Sequence, residues 1–281
     1  MKRRQRLQQI LELLQREPEL ALAEACRRLG ASAATVRRAF VDLEREGQVE
    51  RTWGGIRLRG RGTLQMGPPA FAKRLELAPE PKRAIAEAAA ALLRDGDVAM
   101  VDGGTTTFLM AEFIALKRIR VITNSLVIAQ AIDRLKGGRL GAEVSITGGL
   151  LEPESGLVVG AQAEEFLGRY RAGWAFLGAA GVDADSVTNY DETVLASEKR
   201  MIAQAERLVI LADASKLGRT AMCELCPIGE VDHLITAGPG IPAALGRAWR
   251  RAGVAITQCP TQGERTGTHA KTQRRDGIGD S

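Results

Sequence analysis

At 281 residues, 45% hydrophobic and 26% charged, the chain is long for a single average domain and too apolar to be disordered throughout, so a small domain plus a larger one is expected. It holds no uncharged apolar run of the ~18 residues a spanning helix needs, and its start, MKRRQRLQQI, lacks the apolar core of a signal peptide, so a cytoplasmic protein with no membrane partner is expected. The net charge of +5 is uneven: residues 1–61 carry 14 Lys+Arg against 8 Asp+Glu and the remaining 220 carry 25 against 26, which places the positive excess where a polyanion would be met.

Arg3 to Arg16 carries Leu7, Ile10, Leu11 and Leu14 at spacings of three and four, one face of an amphipathic helix. Leu22 to Leu29 reads as a second helix closed by Gly30. Ser32 is a good N-cap for a third, which runs to about Glu46 with a left-handed cap at Gly47. Three short helices with the tight turn GAS between the last two match a helix-turn-helix. On the third helix Val36, Phe40 and Leu43 fall together and should face the first two helices. Ala34, Arg38, Val41 and Arg45 fall on the opposite side, with Arg37 and Thr35 on its flanks. That surface suits the major groove, because arginine pairs bidentately with guanine while Thr35 or Ser32 contacts phosphate. A merely solvated basic face would account for the arginines but not for an outward Val41. Gln48 to Arg61 reads as a β-hairpin turning at Gly54 and Gly55, a wing made basic by Arg51, Arg57, Arg59 and Arg61. The residues expected to meet DNA are Ser32, Thr35, Arg37, Arg38, Val41, Arg45, Arg51 and Arg57. With Leu43, Glu44, Gly47, Gly54 and Gly55 in register, this stretch resembles the DeoR (deoxyribose-operon repressor) family of bacterial transcription regulators, except that Ala39 and Phe40 stand where the family usually has an acid and a leucine.

Gly60 to Pro81 mixes glycine and proline and reads as a connection with a short extended or helical piece around Phe71 to Leu77. From Lys82 helices and strands alternate. Helices are expected at Lys82–Arg94, Thr106–Leu116, Leu126–Leu135, Thr193–Glu206 and Pro242–Arg251. Strands are expected at Val98–Asp102, Arg120–Thr123, Glu143–Thr147, Ala175–Gly178, Leu208–Asp213, His233–Thr236 and Val254–Thr257. Such alternation implies a parallel, Rossmann-like α/β sheet covered on both faces, with its ligand at the C-terminal strand ends.

The stretch VAMVDGGTTTFL, residues 98–109, is a strand running through Asp102 into two glycines and three threonines at a helix start, a pattern suited to an anion. Other strands end in polar groups as well. The candidate ligand residues are Asp102, Gly104, Thr105, Thr106, Thr107, Asn124, Ser125, Gly148, Gly149, Asp213 and Lys216. Hydroxyls, glycine amides and Lys216 suit phosphate, whereas Asp102, Asn124 and Asp213 suit sugar hydroxyls or a carbonyl. DGGTTT, VITNSL, the later glycine pair, Glu198–Lys199 and LADASKLG are similar in order and spacing to the DeoR-type effector domain. That resemblance implies a fold of the ribose-5-phosphate isomerase and glucosamine-6-phosphate deaminase type, adapted to sense a phosphorylated sugar.

Cys26, Cys223, Cys226 and Cys259 include one CxxC but no second pair, and His233 and His269 are the only histidines, so neither a metal nor a cofactor is expected. The expected organisation is a winged helix-turn-helix DNA-binding domain over 1–60, a linker over 61–81, an effector-sensing domain over 82–260 and a disordered tail over 261–281. It predicts a homo-oligomeric regulator, dimer or tetramer, of a carbohydrate operon, released from double-stranded operator DNA by a phosphorylated sugar. The rival is a sugar-phosphate isomerase or deaminase with an accessory DNA domain. Asp102, Asp183, Asp191 and Asp213 offer a base, but no carboxylate–histidine pairing is visible, so no catalytic residue is assigned.

Overall fold

The computed structural model describes residues 3–16, 19–46, 48–52, 55–58 and 71–260. The expected cap at Gly47, the turn at 53–54, Arg59, Arg61, residues 61–70 of the linker and the tail after 260 lie outside the described residues. The chain forms two compact units, Met1–Met66 and Gly67–Ser281.

In the small unit the elements are α1 (Arg3–Arg16), β1 (Leu20–Ala21), α2 (Leu22–Leu29), α3 (Ala33–Arg45), β2 (Val49–Thr52) and β3 (Gly55–Leu58). Ile10, Leu14, Ala25, Val36, Phe40 and Leu43 form its core, joined by Val49 and Ile56 from the wing. Gly30 ends α2 at φ +58, a left-handed cap that costs glycine nothing, and Ala31 then donates back to the Cys26 carbonyl. β1 is an addition to the expected hairpin. It pairs with β3 to give the antiparallel order β1-β3-β2, and its two residues are too few to show any period. This pairing corrects the reading of Gly55: it is the first residue of β3, not a turn residue, and a Cβ there would lie 2.3 Å from the Leu20 carbonyl oxygen.

The large unit opens with α4 (Phe71–Glu76), α5 (Pro79–Ala91), β4 (Val98–Val101), α6 (Thr105–Leu109), α7 (Ala111–Ile114), β5 (Arg120–Thr123), α8 (Leu126–Lys136) and β6 (Glu143–Ile146). It continues with β7 (Leu150–Glu152), β8 (Leu157–Val159), α9 (Ala161–Gly168), β9 (Trp174–Gly178), β10 (Gly181–Val182), β11 (Ser186–Asn189) and α10 (Glu192–Gln204). β12 (Leu208–Leu211), β13 (Cys223–Pro227), β14 (His233–Ala237), α11 (Ala243–Arg251) and β15 (Ala255–Cys259) complete it. The seven-stranded sheet has the order β15-β14-β12-β9-β4-β5-β6, every pair parallel.

Alternation along the strands explains the layers. Val101, Phe176, Val209 and Leu211 point to one face, against Ile85 of α5, Ile114 of α7 and Ile128 of α8. Met100, Leu177, Leu208 and Ile210 point to the other, against Leu195 and Met201 of α10 and Trp249 of α11. Burying both faces makes the central strands β4, β9 and β12 apolar throughout and so easy to read from sequence, whereas the edge strands β6 and β15 keep polar, partly exposed residues.

Three expectations shift. α5 starts at Pro79, not Lys82, because proline's fixed φ and missing N–H suit a first helical turn. The helix expected over Thr106–Leu116 divides at Met110, where the amides of Met110 and Phe113 bond three residues back. Finally, the β7–β8 hairpin, α9 and the antiparallel sheet β10-β11-β13 fill the stretch left without elements.

Candidate DNA-reading surface and anion pocket

Ser32 has extended backbone and caps α3; its Oγ accepts the Thr35 amide at 3.4 Å and shares a hydrogen bond with Thr35 Oγ1 at 2.9 Å. With one of the two hydroxyl protons used between them, the other remains to donate to a phosphate. Val36, Ala39, Phe40 and Leu43 are buried, which turns Arg37, Arg38 and Arg45 outward into solvent. Val41 is half-buried, less open than expected. With Arg37, Arg38, Asp42, Arg45 and Arg51 it lines a depression of about 530 Å³. Arg51 is not a free wing cation, since its Nε contacts Glu44 Oε2 at 3.1 Å and so ties β2 to α3. Such an exposed pair is worth only ~0.2–1 kcal/mol, so a DNA phosphate competes for Arg51 readily. Arg57 is the register partner of Glu50 in the β2–β3 ladder.

In the large unit the chain leaves β4 toward β5 and β6, and later returns through β9 on the other side of β4. Connections that diverge in this way leave a crevice at the strand ends, here beside Asp102 and Gly178. Gly103 is a close-packing position, because a Cβ there would lie 2.0 Å from Leu157 Cδ2. The β7–β8 hairpin folds over this point: Val158 donates to the Asn124 carbonyl at 2.7 Å and Leu157 bridges to Ser125.

The hydroxyls divide by role. Thr107 is fully buried and its Oγ1 accepts the Gly104 amide at 2.7 Å, so that hydroxyl starts α6 instead of facing a ligand. Thr105 and Thr106 each keep 7% exposure. Ser125 Oγ accepts the Ile128 amide at 3.3 Å as the cap of α8. Asn124 Nδ2 donates to Asp102 Oδ1 at 3.1 Å, while Asn124 Oδ1 is buried with no hydrogen-bond partner among the described residues. Asp213 Oδ1 accepts the Ser215 amide at 2.9 Å, beginning the short turn that carries Lys216. Gly148 and Gly149 are exposed after β6, four strand spacings from β12, or roughly 19 Å. A ligand over β4 and β9 therefore has these glycines on one side and Asp213 with Lys216 on the other.

The structure adds groups that the sequence reading did not select. Glu198, on α10, is completely buried and near enough to Asp102 for each carboxyl to feel the other, and its Oε2 has no hydrogen-bond partner among the described residues. Burial first, then the charge of Asp102, pushes Glu198 well above the usual carboxylate range. Burial also raises Asp102, opposed first by the hydrogen bond it accepts from the Asn124 amide. Asn189 Nδ2 donates to Glu198 Oε1 at 2.7 Å.

Cations converge here too. Arg74, on α4, lies over the Phe71 ring at 5.9 Å, and Phe71 packs edge-on to Phe108 of α6 with centroids 5.5 Å apart. Burial lowers the Arg74 pKa, while Tyr190, Asp102 and Glu152 oppose that shift. Lys82 is 4% exposed and its Nζ donates to the carbonyls of Arg74 and Leu77. Burial pushes Lys82 and Lys216 down, the charge of Asp213 holds both up, and neighbouring cations, Arg74 among them, push both further down.

The carboxylates that proton-transfer chemistry would need are mostly engaged in turns. Asp183 Oδ1 accepts the Asp185 and Ser186 amides, and Asp191 Oδ1 accepts the Thr193 amide as the cap of α10. Burial, followed by nearby acids, pushes the Cys226 thiol up to about 12, the opposite of a reactive thiolate.

Two family descriptions match the chain: the DeoR-like helix-turn-helix domain over residues 6–60 and the DeoR C terminal sensor domain over 78–237. The HTH-type transcriptional repressor GlcR of Bacillus subtilis (strain 168) is 32% identical over 84% of this chain and 89% of its own length. A putative aga operon transcriptional repressor of Escherichia coli O157:H7 is 30% identical over 90% of this chain and 92% of its own. Both alignments run through both units. Ribose 5-phosphate isomerase A from Methanocaldococcus jannaschii aligns over 48% of this chain and 53% of its own at 19% identity, with a TM-score of 0.35, too slight a likeness to assign ligand or chemistry.

Proposed function

This chain belongs to the DeoR family of transcriptional regulators, and from that premise we propose that a phosphorylated sugar, bound over β4 and β9, releases it from the operator of a carbohydrate-metabolism operon. The observation that carries this reading is the joining, in one chain, of an outward arginine face on α3 and a crevice where cations meet buried carboxyl and amide groups. α3 enters the major groove, with Arg37 and Arg38 at base edges and Ser32, Thr35, Arg45, Arg51 and Arg57 at phosphates, while Val41 makes the apolar contact. The repressor acts in the cytoplasm as a dimer or tetramer, since two half-sites multiply a weak single-domain affinity and mirror protein symmetry.

In the pocket Lys216, Thr105 and Thr106 receive the phosphate, and Asp102, Asn124 and Asp213 receive hydroxyls or a carbonyl. α6 has only five residues, so its dipole is short and side-chain cations carry most of the attraction. Residues 1–60 read DNA, 82–260 sense the effector and 61–81 join them. By linkage, operator DNA weakens effector binding by the factor that the effector weakens operator binding.

The test is a mobility-shift assay of the intact protein with genomic fragments, followed by a sugar-phosphate panel. Selective, salt-sensitive binding that one sugar phosphate reverses is expected; absence of sequence selectivity would sink the proposal.

A further inference from the structure

We propose that Arg74 is a phosphate ligand of the pocket, brought there by α4, a helix that lies between the two family matches at residues 6–60 and 78–237 and belongs to neither. The proposal rests on the reading of this pocket as a sugar-phosphate site.

Arg74 Nε is buried and has no hydrogen-bond partner among the described residues. An arginine kept to stabilise the fold is normally paired, because an unmatched buried donor costs ~1–3 kcal/mol, more when charged. Of the two carboxylates whose charge it feels, Asp102 already has the Asn124 amide and Glu152 the Ser155 hydroxyl. Beyond burial, Arg74 lowers the basicity of both Lys82 and Lys216, and Lys216 lowers that of Lys82; a bound dianion would offset that repulsion. A guanidinium also matches a phosphate with two parallel hydrogen bonds, which an ammonium cannot.

The side chain is placed beforehand. Phe71 anchors the start of α4 on Phe108, and Lys82 holds its last carbonyls, so Lys82 acts as a strut for α4 and Arg74 is left to meet the ligand. α4 is also the first described element of the sensor unit after the wing strand β3. A phosphate held by Arg74 therefore fixes the segment through which the sensor is joined to the DNA-reading unit.

The full-length chain, Arg74→Met and Lys216→Met are compared by thermal melting and amide exchange, with inorganic phosphate as probe against chloride at equal ionic strength. Phosphate is expected to raise the wild-type Tm and slow exchange over residues 71–76. Arg74→Met is expected to melt at or above wild type in chloride, having lost a half-buried cation whose Nε has no partner among the described residues, and to bind phosphate roughly tenfold or more weakly without slowed exchange. A lower Tm in chloride would mark Arg74 as structural and overturn the proposal. If Arg74→Met binds phosphate like wild type while Lys216→Met does not, the assignment of Arg74 fails and the pocket stands. If wild type gains nothing from phosphate, the pocket reading fails, and the assignment with it.

Discussion

Glu198 shows what one buried carboxyl does to stability. Its folded pKa lies above its unfolded value, so its stabilising contribution is complete below the ordinary carboxylate pKa and is lost as pH rises through the folded pKa. Glu198→Gln keeps an acceptor for Asn189 without titrating. Urea midpoints across roughly pH 5 to 9 should show this variant gaining on wild type as pH rises; parallel curves would mean the carboxyl is not held protonated. Thr106 gives a second residue-scale expectation. Thr106→Asp puts a charge beside Asp102 where a phosphate would sit, and should yield a repressor that still shifts its operator but is no longer released by the sugar phosphate. Normal release would move the pocket elsewhere. Asp102, Asn124 and Lys216 were legible because strand ends are easy to locate. Glu198 entered only through family resemblance, and Arg74 and Lys82 escaped, since α4 is too short for a period and Lys82 read as the start of a helix.

At the scale of elements, α3 follows its sequence in its Ser32 cap, its inward face and its outward arginines, and departs from it at Val41, which is half-buried. Arg38→Ala should weaken operator binding by about 1–3 kcal/mol, leaving the melting curve and effector affinity unchanged. Unchanged operator affinity would assign base reading to another surface. α1, α2 and the central strands β4, β9 and β12 were legible for a similar reason, each carrying a period of 3.6 or a continuous apolar run. β1, the β7–β8 hairpin and the β10-β11-β13 sheet were not, because segments of two to five residues acquire their pairing from tertiary contacts. The break at Met110 was hidden as well, since apolar residues continue through it from Phe108 to Ile114.

For the whole molecule, two units with separate cores predict two calorimetric transitions. A bound sugar phosphate at 100 times its Kd should stabilise only the larger unit's transition, by about 2.7 kcal/mol; a shift of both together would show that the units unfold as one. The sheet order has a further consequence during synthesis. β4 pairs with β5 on one side, but its other neighbour, β9, begins about 73 residues after β4 ends. At ~5–20 residues per second, a nascent chain keeps one edge of β4 open for several seconds. Over that interval α3 is already translated while half of the crevice has yet to leave the ribosome. A message cut short before β9 would therefore encode the helix-turn-helix without the strand pair that forms the sensor's crevice.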